Sequence, residues 1–219
     1  MPAFHPEFDA LPSEIPIFPL SGALLLPGGR LPLNIFEPRY LAMVEDALSE
    51  GRTLGMVQPD PGLPRTELGS QTYRIGCLGR ISSFAETEDG RLLITLNGVI
   101  RYRILEEAGL RRGYRRARVD FAGFRPDLVL DGPKPQIDRA ALLAALRPYF
   151  TAHGIEANWE AVENTGDAML VTTLCMLCPF EVREKQALLE APTPQARAEM
   201  LVALMQMGSH GMAPEGRPS

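Results

Sequence analysis

The chain has 219 residues, 45% hydrophobic and 22% charged, which excludes wholesale disorder and suits one large domain or two small ones. Lys+Arg number 22 against 27 Asp+Glu, a net charge of -5, so no global field draws nucleic acid or anionic lipid. Lys134 and Lys185, the only lysines, precede Pro135 and Gln186, so the chain encodes no Walker A loop, and it also lacks GxGxxG, GxSxG and HExxH motifs.

Residues 1–12 predict a flexible lead, acidic and without Lys or Arg, so no secretory signal is expected. Residues 15–20 predict an edge strand, because Pro16 and Pro19 cannot donate to a central ladder. Leu26-Pro27-Gly28-Gly29 predicts a turn and residues 31–35 a second strand. Glu37-Pro38 opens a helix, with Tyr40, Leu41, Val44 and Leu48 at helical spacing and Gly51 as its stop. Residues 53–58 predict a strand and 59–69 a loop with three prolines. Residues 71–107 predict a hairpin turning at Asp89-Gly90, and 114–121 a last strand.

A Pro-rich linker at 126–135 separates this β texture from a helical one. Asp138 caps a helix over 139–150, and Asn158 caps another from Trp159 that bends near Gly166 and runs on through 168–178. The 168–178 run is apolar all round, which predicts a central, buried helix. Helices over 181–190 and 194–207 complete a bundle, and 208–219 predict a flexible tail. No uncharged stretch reaches the roughly 20 apolar residues that span a bilayer. Three cysteines are too few for a disulfide framework and predict a reducing, cytoplasmic location.

Several short motifs occur in a telling order: Phe18-Pro19-Leu20, Leu26-Pro27-Gly28, Leu31-Pro32-Leu33 and Ile35-Phe36-Glu37-Pro38-Arg39-Tyr40. Gly55-Met56-Val57-Gln58, Leu96-Asn97-Gly98, Leu177-Cys178-Pro179-Phe180 and the 184–190 segment follow. Together they resemble the amino-terminal substrate-recognition domain of Lon-type ATP-dependent proteases over residues 13–207. The resemblance implies an α+β fold: a PUA-like β pseudo-barrel over 13–125, the linker, and a helical bundle over 136–207. It also implies a free-standing, non-enzymatic protein-binding module, without the ATPase and Ser–Lys protease modules of full Lon proteases. Its expected partners are unfolded or partly unfolded protein segments, with a proteolytic or chaperone machine as a further candidate.

A module that holds unfolded segments needs accessible apolar surface. The candidates are Phe18, Leu24, Leu25, Leu26, Phe36, Arg39 and Tyr40, with the neighbouring 59–64 loop. If Leu24-Leu25-Leu26 lie on a strand, at least one leucine points outward. The blander alternatives are that this leucine packs inside, and that Glu37 serves as a helix-cap carboxylate paired with Arg39. The runner-up function is anion or nucleic-acid binding by Arg101, Arg103, Arg116 and Arg118, placed on outer faces of neighbouring strands. Like charges side by side are unfavourable, so either an anion binds or carboxylates interleave, with Glu86, Glu88, Glu106, Glu107 and Asp120 as candidates. No cofactor or metal is expected, because Cys175-Met176-Leu177-Cys178 has no second CxxC or paired histidines to complete a zinc site. Lys185 stands beside Arg183 and Glu184, which predicts exposure and not the desolvated site a catalytic lysine needs.

Overall fold

A computed structural model describes residues 6–129 and 135–210. Its strands are β1 (Glu14–Pro19), β2 (Arg30–Ile35), β3 (Thr53–Val57), β4 (Arg65–Thr66), β5 (Gly69–Ser70), β6 (Ile75–Glu86), β7 (Leu92–Arg111) and β8 (Tyr114–Asp120). Six of them form one sheet in the order β2-β7-β6-β3-β1-β8, and a β7–β8 pairing nearly closes it into a ring. Closure depends on the 20 residues of β7. Its first part pairs with β2 on one side and β6 on the other, and its last part pairs with β8. The fold is therefore the expected α+β pseudo-barrel followed by helices.

β1 is not an edge strand, despite its prolines. It lies between β3 and β8, pairing with β8 over residues 14–17 and with β3 over 17–19. Pro16 and Pro19 thus fall where β1 has a neighbour on one side only, so no second ladder needs the missing N–H groups.

The ring buries Ile15, Ile17, Leu78, Ile100, Tyr102, Ile104, Ala117 and Val119. Tyr102 donates its hydroxyl to the Met56 carbonyl at 3.1 Å, and Gly55 and Gly76 make room for the ring, since a Cβ on either would collide with it. Two residues of the expected lead pack on the barrel: Phe8 and Leu11 cover this cluster, and the Arg125 guanidinium lies 3.5 Å from the Phe8 ring centre.

The helices are α1 (Pro38–Ser49), α2 (Arg139–Ala152), α3 (Trp159–Asn164), α4 (Asp167–Leu177), α5 (Val182–Glu190) and α6 (Pro194–His210). Asp138 and Asn158 accept the Ala141 and Ala161 N–H groups, as caps should. The central helix is α6, packed on α2, α4 and α5. α4 buries Leu170, Val171, Leu174 and Cys175 but leaves Met169 52% and Leu177 76% exposed. An apolar composition does not summon a neighbour for every face.

A second apolar cluster joins the outside of the barrel to the helices. It unites Phe18, Leu24, Leu25, Leu26, Met43 and Leu96 with Leu146, Leu174, Phe180, Leu188 and Leu201. The first part of the expected linker belongs to this framework, since Ala122–Leu128 is a 3-10 turn. The Asp127 side chain there accepts from the Arg101 Nε at 2.8 Å. Residues 130–134 of the expected linker, like 1–5 and 211–219, lie outside the described residues.

Candidate functional site

Most of the expected client-facing residues are inside. Phe18, Leu24, Leu25 and Leu26 are buried, and Tyr40 packs against Phe18 with ring centres 4.2 Å apart. Residues 23–26 are not a strand, so the alternation that would turn one leucine outward does not apply. Gly98 lets this irregular segment sit against β7, because a Cβ there would strike the Leu26 carbonyl. Phe36 and Arg39 do reach the surface, with Phe36 60% exposed. Arg39 pairs with Glu37 at 2.7 Å, and Glu37 makes no side-chain cap.

The four arginines of the runner-up reading do not converge. Arg101 is buried, bonded to Asp127 and to the Leu189 and Ala191 carbonyls. Arg116 pairs with Glu14 at 2.6 Å and Arg118 with Glu106 at 3.0 Å. The register places Arg118 opposite Glu106 and Arg103 opposite Asp120, so the arginines do not stack side by side. Arg103 is the exposed one with no ion pair among the described residues. Interleaved carboxylates, one of them Glu14 from outside the expected set, account for Arg116 and Arg118.

Lys185 also differs from expectation. It is buried, and its Nζ donates to the Gly22 carbonyl at 2.7 Å. Burial lowers its pKa, against a small opposing effect of Cys178. Its helix faces the β-domain loop, a long-range arrangement that neighbouring charges in sequence do not reveal. Cys175 and Cys178 are free, buried thiols, each pushed up by burial to about 12. No group of histidines, cysteines and carboxylates among the described residues could hold a metal ion.

A concave surface arises from the proline-rich excursion between β3 and β6. These strands are antiparallel neighbours that a short turn could join, but Pro59, Pro61 and Pro64 send the chain outward. Its root is stitched by Asp60 N–H to the Gln71 carbonyl at 2.8 Å and Tyr73 N–H to the Gln58 carbonyl at 3.0 Å. Farther out, β4 pairs with β5, and Arg115 Nη1 donates to the Ser70 carbonyl at 2.8 Å. The result is a flap standing over the last part of β7, with a groove of about 610 Å³ between them. Leu63 and Leu68 on the flap are 46% and 41% exposed, and Leu105 on β7 is 52% exposed. Buried Ile104 lies at the base. A shallower depression on β2, β6 and β7 is lined by Leu33, Phe84 and Leu93 and has no charged residue. The sequence did carry a signal for Leu105: it shares the outward parity of Arg103, where alternation calls for a polar side chain.

A sequence profile of the ATP-dependent protease La (LON) substrate-binding domain matches residues 14–207. The chain belongs to this family. The Lon domain is similar to a Lon N-terminal domain protein from Xanthomonas campestris, with 25% identity and a TM-score of 0.58 over 87% of this chain and 97% of that one. It shares its fold with the N-terminal domain of Mycobacterium avium complex Lon protease, at 15% identity and a TM-score of 0.55 over 88% and 97%. Lon protease 2 of Myxococcus xanthus is 25% identical over 208 residues, 90% of this chain and 24% of that protein. Lon protease 2 of Sorangium cellulosum is 28% identical over 226 residues, 94% and 26%. The chain thus spans about a quarter of the length of these curated relatives. No helix among the described residues is long and apolar enough to cross a membrane.

Proposed function

We propose that this Lon domain is a non-catalytic module that holds apolar segments of unfolded or partly unfolded proteins in the flap groove. The observation that carries the reading is three half-exposed leucines, Leu63, Leu68 and Leu105, gathered from two separate elements around one concavity. Family membership supports protein clients, and the paired state of Arg116 and Arg118 supports an apolar over an anionic ligand. Phe36, with Phe84 and Leu93 near the shallower depression, is proposed as a second apolar contact. The three buried free thiols suit a reducing, cytoplasmic setting.

The test replaces Leu68 or Leu105 by serine and measures anisotropy of labelled, reduced and carboxymethylated α-lactalbumin, a permanently unfolded chain. Both positions are outside the core, so melting should be nearly unchanged. Each substitution should weaken binding about fivefold to tenfold, the share of a half-buried leucine. Wild-type affinity in both variants removes the groove from consideration.

A further inference from the structure

The wall of the groove opposite the flap is a strand edge without a neighbouring strand among the described residues, where the Arg74 Nη1 reaches in, donating to the Leu105 carbonyl at 3.5 Å. β6 accompanies β7 from Leu92 only as far as Arg103, while β8 pairs with the other side of β7 from Arg103 to Arg111. The Ile104 N–H still reaches the Arg74 carbonyl at 2.7 Å. Beyond it, β7 has β8 on one side and no backbone partner on the other among the described residues. The flap does not fill the gap, because β4 and β5 form a separate two-stranded sheet. Register shifts between Ile104 and Glu106 and between Glu107 and Leu110 bend the strand at this place.

An apolar hollow by itself accepts any greasy group, whereas an unpaired strand edge beside it is a template for an extended backbone. Charge narrows the occupant further. Of the carboxylates lining the groove, Glu106 is paired with Arg118 and Glu107 with Arg115. Glu67 and Arg74 also line the groove, so with Arg115 and Arg118 counted as partners the charges there cancel and favour no charged ligand.

We infer that the groove takes an uncharged, extended segment of a client chain as an added β-strand along the 105–110 edge of β7, its alternate side chains meeting Leu63, Leu68 and Leu105. The inference rests on the client-binding reading above and adds the chemistry by which a client is held. Such recognition is nearly independent of client sequence, because the backbone supplies the hydrogen bonds and only alternate side chains enter the hollow.

The probe is a short, capped, labelled peptide of alternating valine and threonine, compared with the same peptide N-methylated throughout. Methylation removes the backbone donors of both edges and keeps the side chains. Strand addition predicts that the methylated form binds the 219-residue chain at least about tenfold more weakly. It also predicts that the unmethylated form slows amide exchange over residues 105–110. Equal binding of the two forms, or binding without slowed exchange there, overturns strand addition and leaves the client-binding reading intact. The same holds if the peptide fails to bind while carboxymethylated α-lactalbumin still binds in a Leu105-dependent way. If neither binds, both readings fall.

Discussion

Tyr102 fills the barrel interior only because two residues of neighbouring strands lack side chains. Gly55 and Gly76 face its ring, and the Met56 carbonyl accepts its hydroxyl. Tyr102→Phe should lower the unfolding free energy by about 1 kcal/mol, the net worth of one buried hydrogen bond plus an orphaned carbonyl. Gly76→Ala should cost more, about 1–3 kcal/mol, through overpacking. Urea denaturation measures both, and an alanine variant as stable as the parent would mean that the ring can shift. The thiols give a pH dependence of known sign. Cys175 and Cys178 have folded-state pKa values of about 12 against an ordinary 9.0. The unfolded chain therefore loses these protons first, and the folded state binds more protons in between. Their contribution is fully present below pH 9 and is lost as pH rises toward 12. Stability should fall across that window, and more gently in a Cys175→Ala/Cys178→Ala variant. An equal slope in both proteins would assign the alkaline loss to other groups, such as Tyr114 and Tyr149, whose burial also pushes them to about 12.

Helix starts that look alike in sequence differ in what their side chains do. Asp138 accepts the Ala141 N–H, whereas Glu37 turns to Arg39. Asp138→Ala should cost about 1 kcal/mol. Glu37→Ala should cost under about 0.5 kcal/mol, because it breaks only an exposed pair. Thermal melts in parallel separate the two, and a larger loss at Glu37 would restore it as a cap. The end of α5 is held differently. Arg101 donates to the Leu189 and Ala191 carbonyls, and Arg197 donates to the Leu188 carbonyl, at the negative pole of that helix. Asp127 balances Arg101 inside the protein. Asp127→Ala leaves a buried guanidinium without its carboxylate and should cost about 3–5 kcal/mol. Arg118→Gln, at an exposed pair, should cost under about 1 kcal/mol.

At the scale of the molecule, the barrel and the helices share one apolar cluster, and hydrogen bonds from Lys185 to Gly22 and from Gln186 to Ile75 cross between them. Two units that fold separately on either side of a linker show two transitions. A shared interior instead makes the loss of either half expose the other. A single calorimetric transition is expected, with calorimetric and van't Hoff enthalpies in agreement. Cleavage of the chain between the barrel and the helices should leave fragments that stay associated. Two resolved transitions, or fragments that separate under native conditions, would show that the bundle and the barrel are held by their chain connection alone.

Where a residue's fate depends on its near neighbours, the sequence alone determined it. Pro38, Asp138 and Asn158 mark helix starts because their work is done within one turn of chain, and Asp89-Gly90 marks a hairpin for the same reason. The ordered motifs of residues 18–40 were sufficient to name the family. Which apolar residues meet solvent was decided by tertiary structure, because burial depends on elements far away in sequence. Leu24, Leu25 and Leu26 look like surplus leucines until they join the apolar cluster that the barrel and the helices share. Lys185 looks exposed until its helix lies against Gly22. The partners of the arginines depend on strand register, and a slip of one residue would have turned every side chain of β8 to its other face. The groove is the extreme case: its two walls are about 40 residues apart in the chain and meet only because β3 pairs with β6 and β6 with β7.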